Sequence, residues 1–156
     1  MNWRWRVEPY VRPLFQAWWR MKRGATLGVR VLAQRSDGAV MLVKHTYISG
    51  WHLPGGGVEK GEVAEEAAER ELEEEAGLSA RGRLRLVGLY ANHRFFKGDH
   101  VILYAVNEPD DCEPADQGEI AERAWFMLDA LPGDISRATR ERIHEHALSG
   151  SKSLIW

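Results

Sequence analysis

The stretch "PGGGVEKGEVAEEAAERELEEEAG", Pro54 to Gly77, joins a run of glycines to a segment in which Glu71, Glu73, Glu74 and Glu75 fall within five residues. Its spacing predicts a helix from about Glu62 to Ala76, ended by Gly77. Like charges three or four residues apart repel on a helix, so the crowding needs a cause. Successive side chains stand about 100° apart on a helix, which separates the segment into two faces. Glu65, Glu66, Glu69 and Glu73 form one, an ordinary solvated surface. Ala64, Ala67, Ala68, Glu71, Leu72, Glu74 and Glu75 form the other, where carboxylates continue a stripe of small apolar residues. Carboxylates at the end of a packed face are partly desolvated and repel, unless a proton or a cation compensates. Oxygen-only ligands favour a hard divalent ion, Mg²⁺ or Mn²⁺, over zinc.

The glycines sharpen this reading. Gly55, Gly56 and Gly57 permit backbone conformations closed to other residues and let a ligand approach the main chain, so a carbonyl there can join the carboxylates. A plain tight turn after Pro54 explains two glycines but not the attached acidic pattern. Arg70, four residues before Glu74, is placed to hold that carboxylate, a structural role.

Working outward, "TLGVRVLAQ" and "AVMLVKH" are β-branched, apolar runs separated by "RSDG", which predicts a hairpin from Thr26 to His45. "LRLVGLYA" and "HVILYAV" are two further strands joined by the basic, aromatic loop "NHRFFKGD". The acidic segment "NEPDDCEPADQGE" precedes the short apolar run "AWFML", and "RATRERIHEHAL" predicts a final helix. Strands interleaved with two helices argue for one layered domain of mixed α and β structure.

These residues resemble the Nudix hydrolase family. "GGVEKGEVAEEAAERELEEEAGL" meets every fixed position of its signature: Gly56, Glu62, Arg70, Glu71, Leu72, Glu74, Glu75, Gly77 and Leu78. The resemblance runs from about Thr26 to Pro132 and divides the chain into an arm, residues 1–23, and a Nudix domain, residues 24–156. It implies an α+β fold, an α/β/α sandwich around a mixed sheet. It also implies hydrolysis of a nucleoside diphosphate linked to another moiety, with Mg²⁺ or Mn²⁺. By motif position Glu71, Glu74 and Glu75 are the metal-binding set, with a carbonyl from Gly55 or Gly56. Either Glu71 or Glu74 takes the proton from water. Glu62, Arg70 and Gly77 are structural. Family members often recruit one more acid from outside the motif, for which Glu119 is the first candidate and Glu122 the second; both are otherwise loop surface charges. A Nudix-fold module that binds a nucleotide without cleaving it would be signalled by lost motif acids, and none is lost here.

Substrate contacts lie outside the motif. In "NHRFFKGDH", Arg94 and Lys97 can pair with phosphate, and Phe95 or Phe96 can stack on a base or cover the core. Trp51 either lines the pocket or anchors the loop. His45, His52, His93 and His100 show no ligand spacing, and their roles stay open.

Bulk properties add limits. The 156 residues suit one domain, and the net charge of −2 gives no reason to expect DNA binding. Cys112 is the only cysteine, which excludes an intrachain disulfide and a cysteine-rich zinc site and fits a reducing cytoplasm. Charge is unevenly spread. The arm carries Arg4, Arg6, Arg12, Arg20, Lys22 and Arg23 against Glu8, +5 over 23 residues, leaving −7 for the remainder. Arg and Gln interrupt it too often for a membrane span or a secretion signal. With Trp3, Trp5, Trp18 and Trp19 it suits packing on its own domain or on a second subunit of a homodimer; contact with an anionic membrane surface is the other reading.

Overall fold

The computed structural model describes residues 24–95, 97–115, 118–148 and 153–156. The arm, residues 1–23, and Phe96 lie outside the described residues, so the expectations for them are not addressed by the structure. The described chain forms strands β1 (Thr26–Gln34), β2 (Val40–His45), β3 (Trp51–His52), β4 (Leu78–Ser79), β5 (Arg85–Ala91), β6 (Asp99–Asn107), β7 (Asp110–Asp111) and β8 (Ile120–Phe126), with helices α1 (Ala64–Glu71) and α2 (Arg137–Leu148). β1 runs parallel to β6 along its whole length, Thr26 opposite Asp99 and Gln34 opposite Asn107. The pairings of β2 with β1, β3 and β8, and of β5 with β6, are antiparallel, so the main sheet is mixed. β4 and β7 form a separate two-stranded ribbon.

Side chains alternate across a strand, and here both faces are covered. Val29, Val31 and Ala33 of β1, Met41 and Val43 of β2, and Tyr104 and Val106 of β6 pack with Ala67, Ala68, Leu72 and Ala76 from α1 and the turn after it. The intervening residues Leu32, Val40, Leu42, Leu103 and Ala105 face the other way and pack with Ile135 and with Ile143 of α2. The expected α/β/α sandwich with a mixed sheet is therefore observed. Ala67 and Ala68 are fully buried, and their small size lets α1 lie close against β1 and β6.

Two local expectations change. The Thr26–His45 hairpin pairs only near its tip, at Gln34 and Val40, and then splays. β8 pairs with β2 along one edge, from Val40 to His45, so β1 and β3 share the other. The segment following β2 wedges into the gap, with Trp51 and His52 on β2 and the glycine loop on β1. The acidic helix is also shorter and not uniform. It is α-helical only from Ala64 to Glu71, then widens into a π turn from Leu72 to Ala76 before Gly77 ends it at φ 65°. Glu62 precedes the helix and accepts a hydrogen bond from the Glu59 backbone N–H at 2.9 Å. π turns recur where a helix carries function, and this one contains Glu74 and Glu75.

Candidate active site

β1 and the glycine loop build the floor of the site. The Val31 N–H donates to the Pro54 carbonyl at 2.9 Å and the Val29 N–H to the Gly56 carbonyl at 2.8 Å. Gly55 sits at φ 142°, and a Cβ there would fall 2.1 Å from the Val29 carbonyl oxygen. Only glycine fits so close to β1. At Gly56 the crowding comes from the helix instead, since a Cβ would lie 2.6 Å from Oε1 of Glu71. The loop and the Glu71 carboxylate lie side by side.

Arg70 occupies the centre of the acidic face. It donates to Glu62 at 2.9 and 3.3 Å, to Glu71 at 2.8 Å, to Glu74 at 3.2 Å and to the Gly57 carbonyl at 3.3 Å. The positive group that the crowded glutamates call for is, in this structure, partly Arg70 itself. Its hydrogen bond pulls Glu62 below the usual carboxylate range. Glu65, read from sequence as solvated, also has partners: it receives Arg83 at 2.6 Å and the Leu84 N–H at 3.1 Å. That ties the β4–β5 connection to α1.

Glu75 turns away from Arg70 into the interior and is only 8% exposed. One oxygen accepts the Gly55 N–H at 2.8 Å, and the other lies 3.5 Å from Nδ1 of His45. Burial pushes its carboxyl up to about 7; the Gly55 hydrogen bond and the Arg30 charge oppose this, while Glu71 and Glu119 reinforce it. Glu71 is likewise raised, chiefly by burial, against the pull of Arg70. Two half-desolvated carboxylates whose charges disfavour one another suit a hard cation, and the donor set is all oxygen. Among the described residues, however, no three His, Cys, Asp or Glu side chains converge as a ready metal cluster. The reason is visible: Arg70 draws Glu71 and Glu74 one way, while Gly55 and His45 hold Glu75 the other.

The remaining sequence candidates divide. Glu119 is brought to the site, its carbonyl accepting the Thr46 N–H at 2.8 Å and its charge acting on Glu75. Glu122 pairs instead with Lys44 at 3.8 Å. Trp51, a candidate substrate contact, is buried in the α2-side core edge-on to Phe126 at 4.9 Å, so burial satisfies the anchoring role and leaves little ring to line a pocket. Phe95 is 84% exposed and Lys97 is exposed, both free of the core. Arg94 borders a cavity of about 400 Å³ with Asn92, Arg137, Glu141 and Trp156. Gly77 serves as the expected helix terminator, its N–H donating to the Glu73 carbonyl at 3.1 Å.

Two site residues, Arg123 and Arg30, escaped the sequence reading, and the sequence leaves the role of a third, His45, open. His45 is buried against Glu75; it follows Met41 and Val43 at strand spacing, which places it on the α1 face. Arg123 reaches the Glu75 carbonyl at 3.4 Å. Arg30 projects from the middle of β1 to the loop carbonyls, and its signal was a lone charge inside the run "TLGVRVLAQ".

Comparison with known proteins agrees with this geometry. A family model described as "NUDIX domain" matches residues 24–147. The chain is 34% identical over 107 residues to the "Putative 8-oxo-dGTP diphosphatase" of Bacillus subtilis (strain 168), spanning 69% of this chain and 70% of that protein. It is 35% identical over 111 residues to the "Diphosphoinositol polyphosphate phosphohydrolase 2" of Rattus norvegicus, covering 69% of this chain and 59% of the relative. Among solved structures, the MutT NUDIX hydrolase from Burkholderia pseudomallei superposes with a TM-score of 0.66 at 26% identity, over 77% of this chain and 96% of that one. A NUDIX hydrolase from Nitrosomonas europaea shares the fold with a TM-score of 0.68 at 20% identity, over 83% and 93% of the two chains. With its motif intact and its domain matched over most of its length, this chain belongs to the Nudix hydrolase family.

Proposed function

We propose that this protein hydrolyses a diphosphate bond in a nucleoside diphosphate linked to another moiety, with Mg²⁺ or Mn²⁺ held by Glu71, Glu74 and Glu75. The observation that carries the reading is Glu75, buried yet acidic, hydrogen-bonded to the glycine loop and electrostatically coupled to Glu71. Glu119 would add a fourth carboxylate, and the Gly56 carbonyl keeps a lone pair beyond the one engaged by Val29. Bound divalent ions would neutralise phosphate oxygens and acidify water. Glu71 or Glu74 would take the proton from the attacking water, since neither is engaged by the Gly55 N–H as Glu75 is. Gly55 and Arg123 orient the Glu75 segment, and Arg70 keeps Glu71 and Glu74 on one side of the helix.

Relatives named as a putative 8-oxo-dGTP diphosphatase and a diphosphoinositol polyphosphate phosphohydrolase support hydrolysis of a phosphorylated small molecule. The substrate's far half would lie towards Arg94 and Lys97 of the β5–β6 loop, where Phe95 offers an exposed ring. The cavity that Arg94 borders is lined by α2 and C-terminal residues and by none of the motif carboxylates. A free Cys112 suits a reducing cytoplasm as the place of action, and no described helix is long and apolar enough to cross a membrane. The test is a phosphate-release screen over nucleoside triphosphates, 8-oxo-dGTP, nucleotide sugars, dinucleoside polyphosphates, ADP-ribose and diphosphoinositol polyphosphates with Mg²⁺ or Mn²⁺. Turnover of one class, abolished by Glu75→Gln, is expected. Full activity in that variant would refute the site.

A further inference from the structure

We propose that Arg30, outside the Nudix motif, is a positioning residue that fixes the glycine loop so that the Gly55 N–H meets the Glu75 carboxylate. Buried backbone acceptors need donors. From Leu53 to Gly56, four consecutive carbonyls are all taken by β1. Its main chain uses Val31 for Pro54 and Val29 for Gly56. The Arg30 side chain takes the other two, which alternate with these, donating to Leu53 at 2.9 Å and to Gly55. One guanidinium nitrogen thus bridges the carbonyls on either side of Pro54, and peptide planes on both sides of Gly55 are held. Gly55 cannot rotate without breaking these bonds, and its N–H is left pointing at Glu75.

Burial is the cost of this device, and it pulls the guanidinium down from its usual range; the charges of Glu75 and Glu71 offset part of that penalty. A cation lodged in a strand for packing alone would be replaceable by an apolar side chain. Here its donors serve one loop, the one touching two motif carboxylates. The inference rests on the active-site reading above for its kinetic consequence but not for its geometric one.

The test pairs Arg30→Lys, which keeps charge and length but lacks the planar fork, with Arg30→Met, which loses both. Metal-free wild type and variants are compared by amide hydrogen exchange. In Arg30→Lys, the peptide containing residues 53–57 should exchange faster by at least about tenfold, with peptides from β6 and α2 unchanged. This arm needs no substrate, so it stands even if the phosphate-release screen finds no turnover. Where the screen finds a substrate, Arg30→Lys should lower kcat at least about tenfold, with KM within about threefold, because the loop is misplaced rather than binding lost. Wild-type kcat and exchange in Arg30→Lys would show that charge alone matters and overturn the proposal. So would uniformly faster exchange, which marks a merely structural residue, or a raised KM with unchanged kcat, which marks a substrate contact. Should Arg30→Lys fold poorly, Arg30→Gln, which retains an amide donor, must restore slow exchange at 53–57 relative to Arg30→Met.

Discussion

Replacing Glu75 by Gln should stabilise the metal-free protein at alkaline pH while abolishing its activity. The Glu75 carboxyl titrates at about 7, against 4.5 for an ordinary glutamate. At about 1.4 kcal/mol per tenfold change in proton affinity, holding it ionised in the fold costs about 3 kcal/mol. The sign follows from proton counts. Between pH 4.5 and 7 the folded chain keeps a proton here that the unfolded chain has released, so stability falls as pH rises through that window. It levels off above pH 7. Gln keeps an acceptor for the Gly55 N–H but carries no charge, so the variant lacks this slope. Urea unfolding in EDTA should show wild type and Glu75→Gln about equal near pH 4.5, with the variant ahead by about 3 kcal/mol at pH 8. His52, whose proton affinity is also shifted, is present in both proteins and cancels to first order, whereas the repulsion from Glu71 is part of the difference read. A stability difference of the same size at both pH values would refute the claim that Glu75 is a strained anion awaiting a cation.

Three other substitutions probe separate parts of the site. Gly56→Ala should preserve fold and circular dichroism, because the new methyl strikes only the mobile end of Glu71; turnover should drop at least about 100-fold. Arg70→Ala leaves Glu62, Glu71 and Glu74 without their shared cation and should cost about 2 kcal/mol in metal-free thermal or urea unfolding. Mg²⁺ should then raise the variant's Tm more than the wild type's; an equal rise would deny that the ion and the guanidinium compete for the same charges. Arg94→Ala should raise KM about tenfold with kcat little changed, and an unchanged KM across the screen's substrates would remove the cavity from substrate binding.

Much of this was legible in the sequence, for physical reasons. Ala67, Ala68 and Leu72 recur at helical spacing, and all are buried. The β5–β6 hairpin follows from two apolar runs around a polar loop. What stayed hidden depends on contacts between residues distant in sequence. The splaying of β1 from β2 accommodates the segment after β2, whose glycine loop bonds to β1 while Trp51 and His52 pair with β2. The parallel pairing of β1 with β6 joins residues some seventy apart, and no local pattern encodes either. The π turn from Leu72 meets β2, β4 and β8, and the helical spacing of the segment does not mark it. His45 and Arg30 acquire meaning only when Glu75 and the loop arrive beside them. Trp51 could be read as pocket or anchor because an aromatic beside glycines suits both, and burial decided between them.

The four carbonyls anchored on β1 make the loop a half-strand, bonded through its acceptors and able to turn a donor elsewhere. An oriented amide of this kind is bought at folding and owed nothing at each catalytic cycle, because no lid must close to aim it. It also separates two kinds of change. On the proposed site, alterations in the sheet would disturb the chemistry of every substrate alike, whereas the hairpin loop around Arg94 would be free to vary without unseating the carboxylates. A protein built this way can acquire new substrates by remodelling its rim while its reaction centre stays as it is.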